Sequence, residues 1–334
     1  MINRVRAPVS RRHVIKAAGA LVAAPALLRV SSALAAFPDR PVRVVVANSP
    51  GGPSDIVARI LAAALQEAMG NPFVVENKAG AGGNIGMGLA ARADADGYTL
   101  LLATNSVSVN VGLYNQLPYD IPKDFTAVAD VATSPNTFVV RRDSGINTIK
   151  EFVAAARANP EKFNVSTPPI GTTPQLQAEL FKLRESLSGM AGIIFTGGGE
   201  ALAALLSGTS QLSSGSLPPA HPHIKAGTLK CLVVTGETRW PDLPDVPTMQ
   251  QEGYKDFVFA TDTALLAPAA TPPEVVARLE KETRAVLARP EMSERLFKAG
   301  FQVRGTDGKT CMTRIAKEVV MFRDIINQAG IKKL

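Results

Sequence analysis

Small hydroxyls and glycines at the ends of apolar runs hold most of the chemical potential of this sequence. The stretch Asn48-Ser49-Pro50-Gly51-Gly52-Pro53-Ser54-Asp55 follows a run of valines and precedes an amphipathic segment. Glycines let a backbone approach a ligand closely, and Ser54 or Asp55 can cap a following helix. The free N–H groups and the positive dipole end of such a helix make a site for an anion. The pattern recurs in Thr167-Pro168-Pro169-Ile170-Gly171-Thr172-Thr173-Pro174, where Thr173 suits an N-cap and Pro174 the first helical position. It recurs again at Gly197-Gly198-Gly199-Glu200, and Thr104-Asn105-Ser106 closes another apolar run.

Other chemistries find little support. No Gly-x-Ser-x-Gly elbow occurs, and the only histidines beyond the amino-terminal leader are His221 and His223. That leaves little for general-base catalysis, so the chain is not expected to be an enzyme. His221, His223 and Cys231 lack a fourth metal ligand. Gly86-x-Gly88-x-x-Ala91 matches a dinucleotide fingerprint loosely, but no acidic residue ends the next strand. Asp55 and Asp262 would make a carboxylate pair, but a capping role suits Asp55 better. No cofactor and no metal are expected. Two cysteines, Cys231 and Cys311, do not make a disulfide framework.

The elements that must position these groups read as an α/β chain. Val44, Val45 and Val46 suit a strand covered on both faces. Val57, Ile60, Leu61, Ala64, Leu65 and Ala68 then recur at helical spacing, and Gly70 suits the helix end. Phe73-Val74-Val75 is a second strand, followed by the glycine loop Lys78 to Gly86. Tyr98 to Ala103 is a third. Strands at Thr137 to Val140, Phe163 to Thr167, Ile193 to Phe195, Leu229 to Val234 and Phe257 to Leu266 alternate with helical segments. Helices over Pro273 to Leu287, Glu291 to Lys298 and Thr310 to Asn327 close the chain. Such alternation implies mostly parallel sheets, whose crevices open at the carboxyl ends of the strands.

The first 35 residues read as an export signal. Arg4, Arg6, Arg11, Arg12 and Lys16 form a basic head, Ala17 to Leu28 an apolar run, and Ala33-Leu34-Ala35 a cleavage site. Ser10-Arg11-Arg12-His13 resembles a twin-arginine motif, and the general secretory route is the alternative. The apolar run is shorter than the roughly 20 residues of a membrane span. The leader carries six of the 36 basic residues and none of the 29 acidic ones. The remaining chain is nearly neutral, which argues against nucleic acid as a partner. Aromatic residues make up 5% of the chain, so a pocket walled by stacked rings is not expected.

Several motifs occur together and in order. They are Ser49-Pro50-Gly51-Gly52-Pro53-Ser54-Asp55-x-x-Ala58-Arg59, Val75-Glu76-Asn77-x-x-Gly80-Ala81-Gly82-Gly83-Asn84-Ile85-Gly86 and Asp96-Gly97-Tyr98-Thr99-Leu100-Leu101. Tyr119-Asp120-x-x-Lys123-Asp124-Phe125, Gly171-Thr172, Gly197-Gly198, Leu243-Pro244-Asp245-Val246-Pro247-Thr248 and Ala267-Pro268 follow. Through nearly all of its length after the leader the chain resembles the Bug family, the exported solute receptors of tripartite tricarboxylate transporters. Departures from the usual pattern are Ala47-Asn48 in place of Pro-Phe, and Ser166-Thr167-Pro168-Pro169 in place of a Gly-Ser-rich turn. Gln175 stands where His is common, Thr196 where a basic residue often follows an aromatic, and Gln211 where Asp is common.

The resemblance implies a two-domain periplasmic-binding-protein fold of type II, with helices on both sheet faces and a cleft between domains. Domain 1 would hold residues 36–139 with 259–334, and domain 2 residues 140–258. The implied ligand is a small carboxylate: a di- or tricarboxylate, an acidic amino acid or an aromatic acid. By motif match its contacts would fall on Asn48, Ser49, Ser54, Asp55, Gly82, Thr104, Ser106, Thr167, Thr172, Thr173 and Gly198. Asp262 would read a ligand amine or hydroxyl. The implied setting is a periplasmic monomer, its leader cleaved near Ala35/Ala36, serving the membrane components of a tripartite transporter. The alternatives are a receptor that presents its ligand to a two-component sensor, or an exported hydrolase.

Overall fold

Val42, Val44, Val45 and Val46 are all buried, as a β-branched run between two parallel neighbours should be. In the computed structural model, which describes residues 37–334, they form β1 (Val42–Val46). The expected export leader and its cleavage at Ala35/Ala36 lie outside the described residues. After β1 come α1 (Pro53–Met69), β2 (Phe73–Asn77), α2 (Asn84–Ala91), β3 (Thr99–Thr104) and α3 (Ser106–Leu113). β4 (Phe125–Arg141) leads to α4 (Ile149–Ala158), β5 (Asn164–Thr167), α5 (Thr173–Arg184) and β6 (Ala191–Ile194). Then follow α6 (Gly198–Leu206), β7 (Leu212–Ser216), α7 (Leu217–Lys225) and β8 (Leu229–Val234). β9 (Ala260–Pro268), α8 (Pro273–Leu287), α9 (Pro290–Lys298), β10 (Gln302–Val303) and α10 (Gly308–Gln328) complete the chain.

The strands run β2-β1-β3-β9-β4-β7-β5-β6, with β8 and β10 also paired to β4. The outer strands are parallel: Val44 lies opposite Val75 and Leu100, and Ser166 opposite Ile193 and Ser213. The two long central strands, β4 and β9, are antiparallel to each other and to their other neighbours. The fold is thus α/β with parallel outer strands, as expected. Its antiparallel centre is a feature that strand–helix alternation does not convey.

β4 belongs to both halves of the molecule. From Phe125 to Pro135 it pairs with β9, and from Asn136 onward with β7 and β8. The returning chain changes sides at the matching level, because β9 begins at Ala260 opposite Pro135. The apolar packing falls into separate clusters. Val45, Leu101, Met87, Phe125, Leu266 and Ile315 gather in the first, and Phe138, Phe152, Phe181 and Phe257 in the second. The second also takes in Val109 and Leu113 of α3 and Phe322 and Ile326 of α10. The Phe138 and Phe181 rings lie 4.8 Å apart, where aromatic contact adds to simple burial.

Cys311 is buried in the first of these clusters, and Cys231 in a third with Trp240 and Leu243; both are free thiols. His221 hydrogen-bonds Asp242 at 2.8 Å, and Lys225 meets the same carboxylate at 2.9 Å. No described helix is long and apolar enough to cross a membrane.

Candidate functional site: an uncharged cleft ringed by helix amino ends

The β1–α1 loop is shaped from within. Gly52, not Ser54 or Asp55, occupies the N-cap of α1, and Pro53 takes the first helical position. Ser54 and Asp55 therefore lie inside the first turn, both buried. The Ser54 hydroxyl donates to Asn48 Oδ1 at 2.8 Å, and the Gly51 N–H donates to Asp55 Oδ2 at 2.9 Å. Asn77 Nδ2 donates to the Asn48 carbonyl at 3.1 Å. Burial pushes the Asp55 carboxyl up, but hydrogen bonds from Arg59 and Gly51 outweigh it and hold the pKa below the usual carboxylate range. These two residues brace the loop that presents Asn48 and Ser49.

The β3–α3 junction is braced from behind. The Thr104 hydroxyl donates to Ser106 Oγ at 3.1 Å. Asn105, at the N-cap of α3, donates Nδ2 to Asp262 Oδ2 at 3.2 Å and to Glu318 Oε1 at 3.0 Å. Its Oδ1 accepts the Asp262 N–H at 2.7 Å. Asp262 also pairs with Arg304 at 2.8 Å, and Arg314 binds Asp130 at 2.6 Å and Glu318. Burial raises the Asp262 pKa, yet Arg314 and Arg304 together hold it below its ordinary value.

In the second half, Thr172 rather than Thr173 is the N-cap of α5; Thr173 and Pro174 are its first two helical residues. The Thr172 hydroxyl donates to the Pro169 carbonyl at 2.8 Å, and the Thr173 hydroxyl to the Ala260 carbonyl at 3.1 Å. Gly197 caps α6 in an extended conformation, and Ser216 caps α7.

These loops enclose a cleft of about 530 Å³, part of it open to solvent. Five helices direct their amino ends at it: α1 through Gly52 and Pro53, α3 through Asn105 and Ser106, α5 through Thr172 and Thr173, α6 through Gly197 and Gly198, and α7 through Ser216. Every lining residue is Asn, Ser, Thr, Gly or Pro; none is charged or aromatic. Each helix end favours a negative charge by about 0.3–1 kcal/mol, and up to about 2 kcal/mol when partly buried. An anion can therefore be held here without a side-chain cation.

Of the residues singled out in the sequence, Asn48, Ser49, Thr104, Ser106, Thr172, Thr173 and Gly198 line this cleft. Gly82 lines an adjoining groove that shares Asn48, Ser49, Pro169 and Thr196 with it. A Cβ on Gly82 would lie 2.7 Å from the Ile170 carbonyl oxygen, and its φ of +64° also favours glycine. Ser54, Asp55, Thr167 and Asp262 do not line the cleft. Thr167 is buried at the end of β5, its hydroxyl without a protein partner. Asp262 faces the arginines behind Asn105. Its neighbour Thr261 lines the cleft instead, because successive strand residues point to opposite faces. Thr261, Thr196 and Ser216 are among the lining residues that sequence reasoning did not place in the site, and Asn105 was noted only as part of a polar run. Ser216 did carry a signal, a serine directly before Leu217-Pro218-Pro219.

An α/β fold with an anion-favouring cleft at its helix amino ends is that of a solute-binding receptor. Residues 57–331 match the family model described as the tripartite tricarboxylate transporter family receptor, TctC. The chain belongs to that family. It is 32% identical over 299 residues to Protein BugT of Bordetella pertussis, covering 89% of this chain and 91% of that one. Among solved structures it is similar to R. palustris Rpa4515 with adipate, with a TM-score of 0.86 and 30% identity; the match covers 89% of this chain and 100% of that one. It is also similar to MatC of Rhodopseudomonas palustris with bound malate, with a TM-score of 0.82 and 29% identity over 87% of this chain and 100% of that one. The relatives are solute-binding proteins, not enzymes, in line with the lack of a catalytic constellation noted in the sequence.

Proposed function

We propose that this protein is a periplasmic receptor for a small carboxylate, which it delivers to the membrane components of a tripartite transporter. The observation that carries the reading is the convergence of five helix amino ends on a cleft with no charged lining residue. Such a site stabilises an anion by N–H groups and dipoles. Hydrogen bonds to a charged group contribute about 1.5–3 kcal/mol each, so a few of them suffice for tight binding. The adipate and malate named with two related structures agree with this ligand class.

In this reading the leader, residues 1–35, directs export, and the mature chain works as a monomer. In it the domains are residues 36–139 with 259–334 and residues 140–258, as expected from the sequence. The change of β4 partners at Pro135–Asn136 and the start of β9 at Ala260 support a hinge between them at these crossings. Native mass spectrometry of freshly purified protein tests the proposal: a co-purified carboxylic acid supports it. A neutral or cationic ligand in the cleft would overturn it.

A further inference from the structure

Hydroxyl protons in the cleft are already assigned by the protein's own hydrogen bonds, and the assignment divides the walls. On the first half, Asn48 Oδ1 accepts from Ser54, which leaves Nδ2 as the outward group. Ser106 Oγ accepts from Thr104, which leaves its own proton to give. This wall donates.

On the opposite wall the side chains around Asn136 accept, beside the N–H groups of the helix ends. Asn136, wholly buried where β4 changes sheets, uses both ends of its amide on cleft residues. Thr261 gives its proton to Asn136 Oδ1 at 2.7 Å. Asn136 Nδ2 donates to Thr173 Oγ1 at 3.2 Å, and Thr173 gives its own proton to the Ala260 carbonyl at 3.1 Å. Thr172 spends its proton on the Pro169 carbonyl at 2.8 Å. A threonine hydroxyl has one proton and two lone pairs, so these three present only acceptor oxygen to the cleft. The amide orientation follows from the same count: Thr173 has no second proton for Oδ1, so Asn136 must offer it the Nδ2.

We propose that this acceptor wall reads a ligand hydroxyl, making the preferred ligand a hydroxy-substituted carboxylate; the proposal rests on the carboxylate reading above. A carboxylate against the acceptor oxygens leaves lone pairs facing lone pairs, whereas an alcohol donates to them while its acid groups take the donor wall and the helix N–H groups. An ammonium also donates, but it would sit among five positive helix ends with no facing carboxylate. Asp55 and Asp262 are both turned away and paired with arginines. Asn136 is thereby a positioning residue that fixes which way two cleft hydroxyls point.

Calorimetry on the full mature chain with succinate, malate and aspartate tests this, since the three differ only in carrying hydrogen, hydroxyl or ammonium at one carbon. Glutarate, 2-hydroxyglutarate and glutamate repeat the comparison at the next length. The hydroxy acid should bind about 3- to 10-fold tighter than its parent, the equivalent of one neutral hydrogen bond, and the amino acid weakest. Thr261→Val should bring the malate-to-succinate ratio close to one, and Thr261→Ser should restore it. Equal or tighter binding of the unsubstituted acid overturns the proposal, as does tightest binding of the amino acid. Binding by none of the six overturns the carboxylate reading and this proposal with it. The wild-type ratios decide the matter even where Thr261→Val fails to fold.

Discussion

The Ser49 hydroxyl donates to the Thr196 carbonyl oxygen at 3.1 Å, joining the β1–α1 loop of one half to the β6–α6 loop of the other across the mouth of the cleft. The two residues are 147 positions apart in the chain. A Cβ on Gly197 would lie 3.2 Å from Ser49 Cβ, so the loops meet closely. In the proposed hinged receptor, Ser49→Ala should therefore weaken the closed state, in which the two domains are drawn together over the ligand. A neutral hydrogen bond at an exposed site contributes about 0.5–1.5 kcal/mol, so ligand affinity should fall about 2- to 10-fold. Stopped-flow binding should place most of that loss in faster dissociation.

Gly198→Pro tests the helix N–H groups directly. Gly198 is the first residue of α6, where proline is tolerated, and the extended Gly197 before it suits a following proline. No atom lies within 4 Å of a Cβ built on Gly198. The variant thus removes one donor with little other change. Affinity for the acid should drop by about 10- to 100-fold, the worth of one hydrogen bond to a charge, with an unchanged melting temperature. Equal affinity would show that this helix end does not touch the ligand.

Gly171→Ala should impede closure. Gly171 has φ +89°, and a Cβ there would overlap Asn110 Oδ1, a buried atom on α3 of the other half. Relief requires the loop before α5 to draw away from α3 or the Asn110 amide to give up its bonds to Gly82 and Asn84. Small-angle scattering should show less compaction on adding ligand than in the wild type, and calorimetry should show weaker binding.

Glu318 gives stability a pH dependence. Burial, with Asp262 near it, pushes its pKa up to about 7 against the pull of Arg314, from an ordinary 4.5. Asn105 and Ser108 also donate to its carboxylate. A raised folded pKa means the native state holds the proton more tightly than the unfolded chain. The contribution is full below about 4.5 and is lost as pH rises through about 7. Asp262 works in the opposite sense, its pKa being lowered, so its contribution fails only in acid below the ordinary carboxylate range. Urea unfolding should show the wild type more stable at pH 5.5 than at pH 8, by on the order of 2 kcal/mol. Glu318→Gln should flatten that difference. A wild type equally stable at both values would contradict this ionisation scheme.

Much of the fold was legible because it rests on local signals. The valine run, the glycine turns and the helical spacing after Pro53 mark strand, turn and helix in succession. The cleft was legible where a residue's place follows from the backbone path, as with Ser49, Ser106, Thr172 and Gly198. It was not legible where long-range pairing decides which way a side chain faces. Asp262 and Thr261 are adjacent, and only the pairing of β9 with β3 and β4 turns one toward arginines and the other toward the cleft. The bond from Ser54 to Asn48 likewise depends on how the β1–α1 loop folds back. The antiparallel centre of the sheet escaped for the same reason: β4 and β9 meet across more than a hundred residues that carry no local mark of the pairing.

The central claim is that helix ends and neutral donors alone hold a carboxylate in this cleft. Its most direct test is calorimetry of the mature chain with succinate, malate and adipate, each set against its own diamide. The diamide keeps the carbon skeleton and removes the charge. At least one acid should bind about 100-fold or more tighter than its diamide, since two or more charge-assisted hydrogen bonds are lost with the charge. A diamide that binds as tightly as its acid, or an absence of binding by all three acids, would contradict the account.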